Sequence, residues 1–148
     1  CNFEQTGEYF DYKTYRYKAE FNVALDINGA KRVVEEKDLP LKFIDFNQGI
    51  KVFSGGVLKG FDKNPVSRIY KTFGVENRES WDLLTVLYAI LGGGGMFAES
   101  NAGKVNIDNE GRTTFTEGDG KHTILTLVNP KDATEQINNL LLKIREVR

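Results

Sequence analysis

The chain has 148 residues, about one domain in length, and its 40% hydrophobic and 28% charged content is ordinary for a globular fold. This composition excludes a disordered or collagen-like polymer. Lys and Arg number 20 against 21 Asp and Glu, a formal net charge of −1. No nucleic-acid partner is expected, because binding to a phosphate backbone needs excess positive charge. No membrane partner is expected either, since no apolar run is long enough to cross a bilayer.

A single cysteine, Cys1, excludes an internal disulfide. A cysteine at this position can carry a lipid anchor, but the aromatic residues that follow it do not resemble a flexible tether. The compartment stays open between the cytoplasm and the bacterial periplasm or exterior.

The first part of the chain combines an aromatic segment, a helix and a strand. Residues 1–19 are crowded with Phe and Tyr without a helical or strand period, and we expect an ordered loop. Asp26 is the predicted N-cap of a helix over Ile27–Glu36. The apolar side of this helix consists of Ala30, Val33 and Val34. Leu41–Phe46, rich in β-forming residues, is predicted to be a short strand.

Two helices are predicted in the middle of the chain, after an extended piece over Ile50–Phe53. Asn64-Pro65 opens the first, because Asn caps well and Pro suits the first helical position, and Gly74 ends it. Its apolar face consists of Val66, Ile69, Tyr70 and Phe73. Ser80 is the predicted N-cap of the second, which runs to about Leu91. This helix is apolar nearly all round, so we expect it at the centre of a larger core.

The last part of the chain is predicted to form strands and a final helix. Gly92–Gly95 follows a helix and does not open one, which favours a tight turn or hinge over a phosphate-binding loop. The turn signal Asp108–Gly111 between alternating residues predicts a hairpin. His122–Val128 is a predicted strand, and Asn129-Pro130 opens a helix. The apolar face of that helix consists of Ile137, Leu140, Leu141 and Ile144. The whole pattern predicts a mixed α/β fold in a single domain, residues 1–148.

Glu20 and Asn22 form the first candidate site. They are two residues apart, so an extended backbone would point both side chains the same way. A carboxylate beside an amide offers an acceptor and a donor to a polyol. The alternative is that both side chains only satisfy the backbone of a loop, and composition by itself favours it.

Asp82, in Ser80-Trp81-Asp82, is the second candidate. With Ser80 as cap, Asp82 lies in the first helical turn, where the helix dipole stabilises a carboxylate; that is a sufficient structural reason for it. A carboxylate on a rigid helix also suits a hard cation, but calcium needs several such ligands and the others must come from elsewhere. His122 has no second histidine or cysteine at ligand spacing, so no metal role is expected for it.

Several segments, in this order, resemble the C-terminal half of the nucleoside hydrolase family, inosine-uridine preferring type. The clearest are AEFNVALD (Ala19–Asp26), SWDLLTVLYAI (Ser80–Ile90) and GKVNIDNEGRTTFT (Gly103–Thr116). The Asn64-Pro65 helix and His122 match as well. The resemblance implies the C-terminal half of an open Rossmann-like nucleoside hydrolase fold with a tail hairpin. It also implies that the chain is a C-terminal fragment of a longer protein.

The resemblance further implies a function. The family hydrolyses the N-glycosidic bond of ribonucleosides with a bound calcium ion, which coordinates ribose hydroxyls and the attacking water. Its motifs imply ribose binding by Glu20 and Asn22, and both calcium and ribose binding by Asp82. The expected partner is a ribonucleoside or a related ribosyl small molecule. A homo-oligomer is also expected, because half of an open sheet exposes a strand edge and an apolar helix face.

Departures from the family pattern keep an alternative open. The aspartate run that supplies most calcium ligands and the catalytic base is absent from this sequence, so the chain alone is expected to be inactive. Trp81 stands where members that cleave purine and pyrimidine nucleosides have a histidine that helps to protonate the leaving base; a tryptophan is a poor proton donor but can stack on a base. Thr14 stands where an asparagine is usual. The alternatives are a non-catalytic ribosyl-binding or interaction protein of the same family, and a structural fragment without a site.

Overall fold

The computed structural model describes residues 8–11 and 16–144. This part of the chain is mixed α/β, with six α-helices and small sheets, none of them closed. The chain divides into two compact units, Cys1–Phe46 with Glu99–Thr126 and Asn47–Ala98 with Leu127–Arg148. None of the described helices has the length and apolar character needed to cross a membrane.

The elements follow one another along the chain as a mixture of short strands and helices. The helices are α1 (Phe21–Leu25), α2 (Ile27–Glu35), α3 (Phe46–Gly49), α4 (Pro65–Thr72), α5 (Trp81–Leu91) and α6 (Pro130–Lys143). The strands are β1 (Glu8–Asp11), β2 (Arg16–Ala19), β3 (Lys42–Ile44), β4 (Phe53–Ser54), β5 (Arg78–Glu79), β6 (Phe97–Glu99), β7 (Gly103–Ile107), β8 (Thr113–Glu117) and β9 (Thr123–Leu127). A short 3-10 helix covers Gly56–Leu58.

The aromatic segment at the start of the chain contains strands. The predicted loop over 1–19 is wrong for β1 and β2, which pair antiparallel with Glu8 opposite Ala19 and Asp11 opposite Arg16. Strands of four residues are too short to show a reliable period, and the pairing itself defines them. The predictions for Cys1 and Thr14 concern residues outside the described ones.

The core of the first unit lies between α2 and the β7–β8 hairpin. The predicted cap is confirmed: Asp26 Oδ1 accepts the N–H of Gly29 at 2.8 Å. Val34 of α2 is buried against residues of α1 and β7, while Val33, expected on the same apolar side, is exposed. The strand predicted over Leu41–Phe46 is shorter, since only Lys42–Ile44 pair in parallel with β9 and Phe46 already begins α3.

The predicted hairpin is confirmed. β7 and β8 pair antiparallel, with Val105 opposite Phe115. In the turn, Asp108 Oδ1 accepts the N–H groups of Glu110 and Arg112 at 2.8 and 2.9 Å. Gly111 has a φ of +83°, and a Cβ there would lie 2.6 Å from the Cβ of Ala19. Both features require glycine at this turn.

In the second unit, α4 begins as predicted but does not bury its apolar face. Asn64 Oδ1 accepts the N–H groups of Val66 and Ser67, which confirms the cap. The buried residue of α4 is Ser67, whose hydroxyl donates to the carbonyl of Leu58. Ile69 and Phe73 are 56% and 76% exposed. This part of the apolar face is therefore uncovered, because periodicity shows which residues share a face and not whether another element covers it.

Helix α5 has the predicted bounds but only one buried side. Leu84 and Leu87 are buried, whereas Val86 and Ile90 are 53% and 69% exposed. The expectation of a helix enclosed on all sides is wrong within the described part of the chain. The exposed side agrees with the expectation of an uncovered apolar helix face.

The remaining expectations for this unit are met in part. The extended piece predicted over Ile50–Phe53 is mostly a turn after α3, and only Phe53 belongs to β4. Asn129 caps α6 by accepting the N–H of Asp132, as predicted. Two residues of the predicted apolar face of α6 are buried, Ile137 and Leu141. The other two, Leu140 and Ile144, are exposed.

Candidate functional site

Glu20 is the N-cap of α1. Its Oε2 accepts the backbone N–H groups of Asn22 at 3.1 Å and Val23 at 3.2 Å. These donors have no partner within the helix, so a side-chain acceptor at this position stabilises the helix start. Ala19 and Val23 on either side are buried, which holds the half-buried Glu20 in place.

Asn22 completes the pair with its side chain. Its Nδ2 donates to Glu20 Oε1 at 3.1 Å, and the residue is exposed. The two side chains therefore lie side by side, as predicted. They do so at the start of a helix, whereas the prediction assumed extended backbone. The Glu20 carboxylate accepts backbone N–H groups, as the structural alternative expects, whereas the Asn22 amide bonds to the Glu20 side chain. These contacts also hold a carboxylate and an amide in one orientation.

Ser80 precedes α5 without capping it through its side chain. The Ser80 Oγ lies 2.7 Å from the Oγ of Ser54, and both residues are buried. No cap hydrogen bond forms from the Ser80 hydroxyl. Ser80 is the N-cap residue of α5 as predicted, but its hydroxyl contacts Ser54 and the carbonyl of Arg78 and accepts no N–H group of the helix.

Trp81 packs directly against the backbone of Gly49. A Cβ on Gly49 would lie 2.1 Å from Cδ1 and 2.7 Å from Nε1 of the indole, so only glycine leaves room for this ring. Trp81 is half-buried. The five-membered ring of the indole therefore packs on Gly49 of α3.

Asp82 lies in the first turn of α5, as predicted, and is exposed. Its carboxylate makes no hydrogen bond or ion pair with any described residue. Among the residues that the structure describes, no three His, Cys, Asp or Glu side chains come together as a group that could hold a metal ion. Asp82 can therefore offer one ligand to a hard cation, but calcium takes about six to eight oxygens.

The four candidate residues fall into two local pairs. Glu20 and Asn22 belong to the first unit, and Trp81 and Asp82 belong to the second. The contacts that position each pair come from its own unit. A shared cavity between the pairs stays a prediction.

His122, to which no role was assigned from the sequence, is buried in the first unit. Its Nδ1 accepts the N–H of Val105 at 3.0 Å, and its ring lies edge-on to Phe43 with centroids 5.6 Å apart. Burial lowers the pKa of His122, and the positive charge of Lys104 lowers it further. Both effects favour the neutral form of the ring. Only the pairing of His122 with β7 reveals this environment, and that pairing has no local sequence signal.

Comparison with known proteins does not identify a family for this chain. No protein-family model matches the chain, and no curated protein matches it. The geometry of the two residue pairs and the resemblance of their motifs therefore form the basis for a functional proposal.

Proposed function

We propose that this chain is the sugar-binding part of a nucleoside hydrolase-like protein that hydrolyses the N-glycosidic bond of ribonucleosides. The proposed fold is the C-terminal half of an open Rossmann-like architecture with a tail hairpin. The observation that carries the proposal is the Glu20–Asn22 pair, a carboxylate and an amide held together at 3.1 Å in a motif that resembles the family's ribose-binding segment.

The pair has the chemistry that a ribose diol requires. Sugar hydroxyls donate to the carboxylate of Glu20 and accept from or donate to the amide of Asn22. Two backbone N–H groups orient the Glu20 carboxylate before any ligand arrives. A carboxylate oxygen accepts more than one hydrogen bond, so a carboxylate that caps a helix can also accept from a sugar hydroxyl.

The described residues do not by themselves fit a calcium ion. Asp82 supports the proposal as one exposed ligand on a helix, and the resemblance implies that an aspartate run outside this sequence supplies the others. In the family, bound calcium makes an activated water available near neutral pH. On this chain, Asp82 is proposed to bind both the ion and the ribose, and Glu20 and Asn22 to orient the sugar.

Trp81 favours a second candidate function, a non-catalytic ribosyl-binding or interaction protein of the same family. Its indole presents an aromatic surface and has no group that readily protonates a leaving base. The contact with Gly49 keeps the ring in a defined position. Under this alternative, the ligand binds and is released unchanged.

A second copy of the chain is a further proposed partner. The exposed aliphatic side chains Val86 and Ile90 on α5 support a homo-oligomer, because water-exposed apolar surface favours association. Size-exclusion chromatography with light scattering tests it, and a stable monomer would contradict it.

The function is tested by following ribose release from inosine, uridine and other ribonucleosides, with and without calcium, on the natural protein that carries this chain. Asp82→Asn is expected to lose calcium affinity and hydrolysis. Asp132→Asn is the matched control, since Asp132 occupies the first turn of α6 and is likewise exposed. Its activity is expected to equal that of the wild type.

A second variant separates sugar binding from ion binding. Glu20→Gln is expected to weaken ribose binding and to retain calcium. Asp26→Asn, the cap of the neighbouring α2, is its control. Unchanged hydrolysis in Asp82→Asn would contradict the catalytic proposal. Ribose binding without hydrolysis by the wild type would support the binding protein, and absence of ribose binding would contradict both.

A further inference from the structure

A cavity of about 450 Å³ lies in the first unit and involves none of the candidate residues above. Its walls come from the end of α2 and the two residues after it (Val34–Lys37), the start of β7 (Gly103 and Lys104) and the segment Asp119–His122. The volume lies within the range of about 300–1,000 Å³ that is common for small-molecule sites.

The part of the lining formed by Gly103, Gly120 and His122, which we call the floor of the cavity, is closely packed. The N–H of Gly103 donates to the carbonyl of His122, and the N–H of His122 donates to the carbonyl of Gly103, both at 2.9 Å. A Cβ on Gly120 would lie 1.9 Å from the carbonyl oxygen of Gly103. Glycine is therefore required where this loop lies on β7, and the close contact holds His122 in a fixed position.

His122 presents one free donor to the cavity. The residue is 5% exposed, and its Nδ1 accepts the N–H of Val105, which leaves the ring proton on Nε2. Nε2 makes no hydrogen bond to any described residue. The Nε2 atom is not fully enclosed by protein, and His122 lines the cavity, so we place this N–H group at the cavity surface.

The charge around this donor is positive, although the cavity rim is mixed. Lys104 is the charged neighbour whose field reaches the imidazole. Its ammonium makes no hydrogen bond or ion pair with a described residue. The backbone N–H groups of Gly103, Val105 and Gly120 are already bonded within the protein. Among the side-chain donors of the lining, Nε2–H of His122 belongs to a buried residue, and the exposed Lys104 is the cation whose charge reaches that ring.

We propose that this cavity binds a small organic carboxylate, independently of nucleoside hydrolysis. One carboxylate oxygen accepts Nε2–H of His122, and the other accepts from Lys104. These two donors match the two oxygens of a carboxylate.

The charges in the cavity lining favour a ligand with a single negative charge over a ligand with several. Acidic side chains balance the basic ones in the cavity lining and would repel a polyanion. The acidic residues are Glu35, Glu36 and Asp119, and the basic residues are Lys37, Lys104 and Lys121. A ligand that also carries an ammonium group, such as an amino acid, would use both signs of charge.

The experiment follows the ring of His122 by NMR in the full chain. His122 is the only histidine in the sequence, so its ring signals are free of overlap. Acetate, glycine and inorganic phosphate are titrated separately, with chloride keeping the ionic strength constant. We expect a saturable shift of the ring signals with acetate and glycine, and weaker binding of phosphate.

Two variants test the donors. Lys104→Gln is expected to weaken carboxylate binding about tenfold or more, since it removes a charge-assisted hydrogen bond. Lys31→Gln is the matched control, because Lys31 lies on α2 outside the cavity and bonds to Asn109. In His122→Asn the amide oxygen can replace Nδ1 as acceptor for Val105 while Nε2–H is lost. This variant is expected to lose binding, as seen in the backbone signals of Lys104 and Val105.

The outcomes that overturn the proposal are specific. They are a linear, unsaturable response to every carboxylate, equal affinity in wild type and Lys104→Gln, and tighter binding of phosphate than of acetate and glycine. If His122→Asn does not fold, the comparison of Lys104→Gln with Lys31→Gln decides.

Discussion

The starts of helices α1 and α5 use their acidic residues in opposite ways. At α1, the carboxylate of Glu20 accepts two backbone N–H groups and the amide of Asn22. At α5, the Ser80 hydroxyl is paired with Ser54, and the exposed Asp82 has no partner among the described residues. One carboxylate is part of the local fold, and the other is left available for a ligand.

Because of this difference, mutations at the two helix starts distinguish effects on folding stability from effects on ligand binding. A side chain that satisfies the backbone lowers stability when it is removed, whatever its role toward a ligand. An exposed carboxylate without a local partner contributes little to stability, so an effect of its removal on binding can be interpreted directly. Mutations at the two helix starts are therefore expected to differ in what they change.

The largest expected effect on stability is at the seat of Trp81. Gly49→Ala places a Cβ 2.1 Å from the indole Cδ1, so the ring must move. Overpacking of a buried site of this kind lowers the free energy of unfolding by about 1–3 kcal/mol. Urea unfolding measures the loss, and the emission of Trp81, the only tryptophan, reports the movement of the ring.

Gly56→Ala is the control for this prediction. A Cβ on Gly56 would make an ordinary contact of 3.5 Å with Asn77. Its stability is expected to be unchanged or raised by up to about 1 kcal/mol, since alanine restricts the unfolded chain. If Gly49→Ala has the stability and emission of the wild type, the packing of Trp81 on α3 is wrong.

The next effect compares the two acidic residues directly. Glu20→Ala removes the cap of α1 and is expected to lower the free energy of unfolding by about 1 kcal/mol. Asp82→Ala is expected to change it by no more than about 0.5 kcal/mol, because the side chain is exposed. Parallel urea unfolding of both variants measures the difference. Equal losses would mean that the two helix starts do not differ as described.

The smallest expected effect is a pH dependence in the first unit. Burial, together with the charge of Lys104, lowers the pKa of His122 below its usual value. The unfolded chain then binds a proton at a higher pH than the folded one, so stability is complete above about pH 6.5 and falls as the pH decreases below it. Between about pH 7.5 and 5.5, the free energy of unfolding is expected to fall less in His122→Asn than in the wild type. Identical pH profiles of unfolding free energy would contradict this.

Features that depend on neighbouring residues could be predicted from the sequence. Asp26, Asn64 and Asn129 cap helices as expected, because each accepts an N–H group no more than three residues away. The β7–β8 turn is equally local, with its Asp108 carboxylate and Gly111. The pairing of Glu20 with Asn22 belongs to this class, since two residues so close in sequence meet in several backbone conformations.

Features that depend on distant residues could not. Ser80 has the chemistry of a cap, but the hydroxyl of Ser54, far away in sequence, engages it. Ile69 and Ile90 lie on apolar helix faces, and their exposure depends on which elements pack nearby. His122 gains its environment from Gly103 and Val105 on another strand.

The amino-acid sequence by itself determined where most helices begin and which side chains stand beside each other at those points, because these depend on hydrogen bonds within one turn. Tertiary structure alone decided which apolar faces are covered. It also decided that His122 faces a cavity. These outcomes depend on contacts between segments far apart in the chain, and no local pattern encodes such contacts.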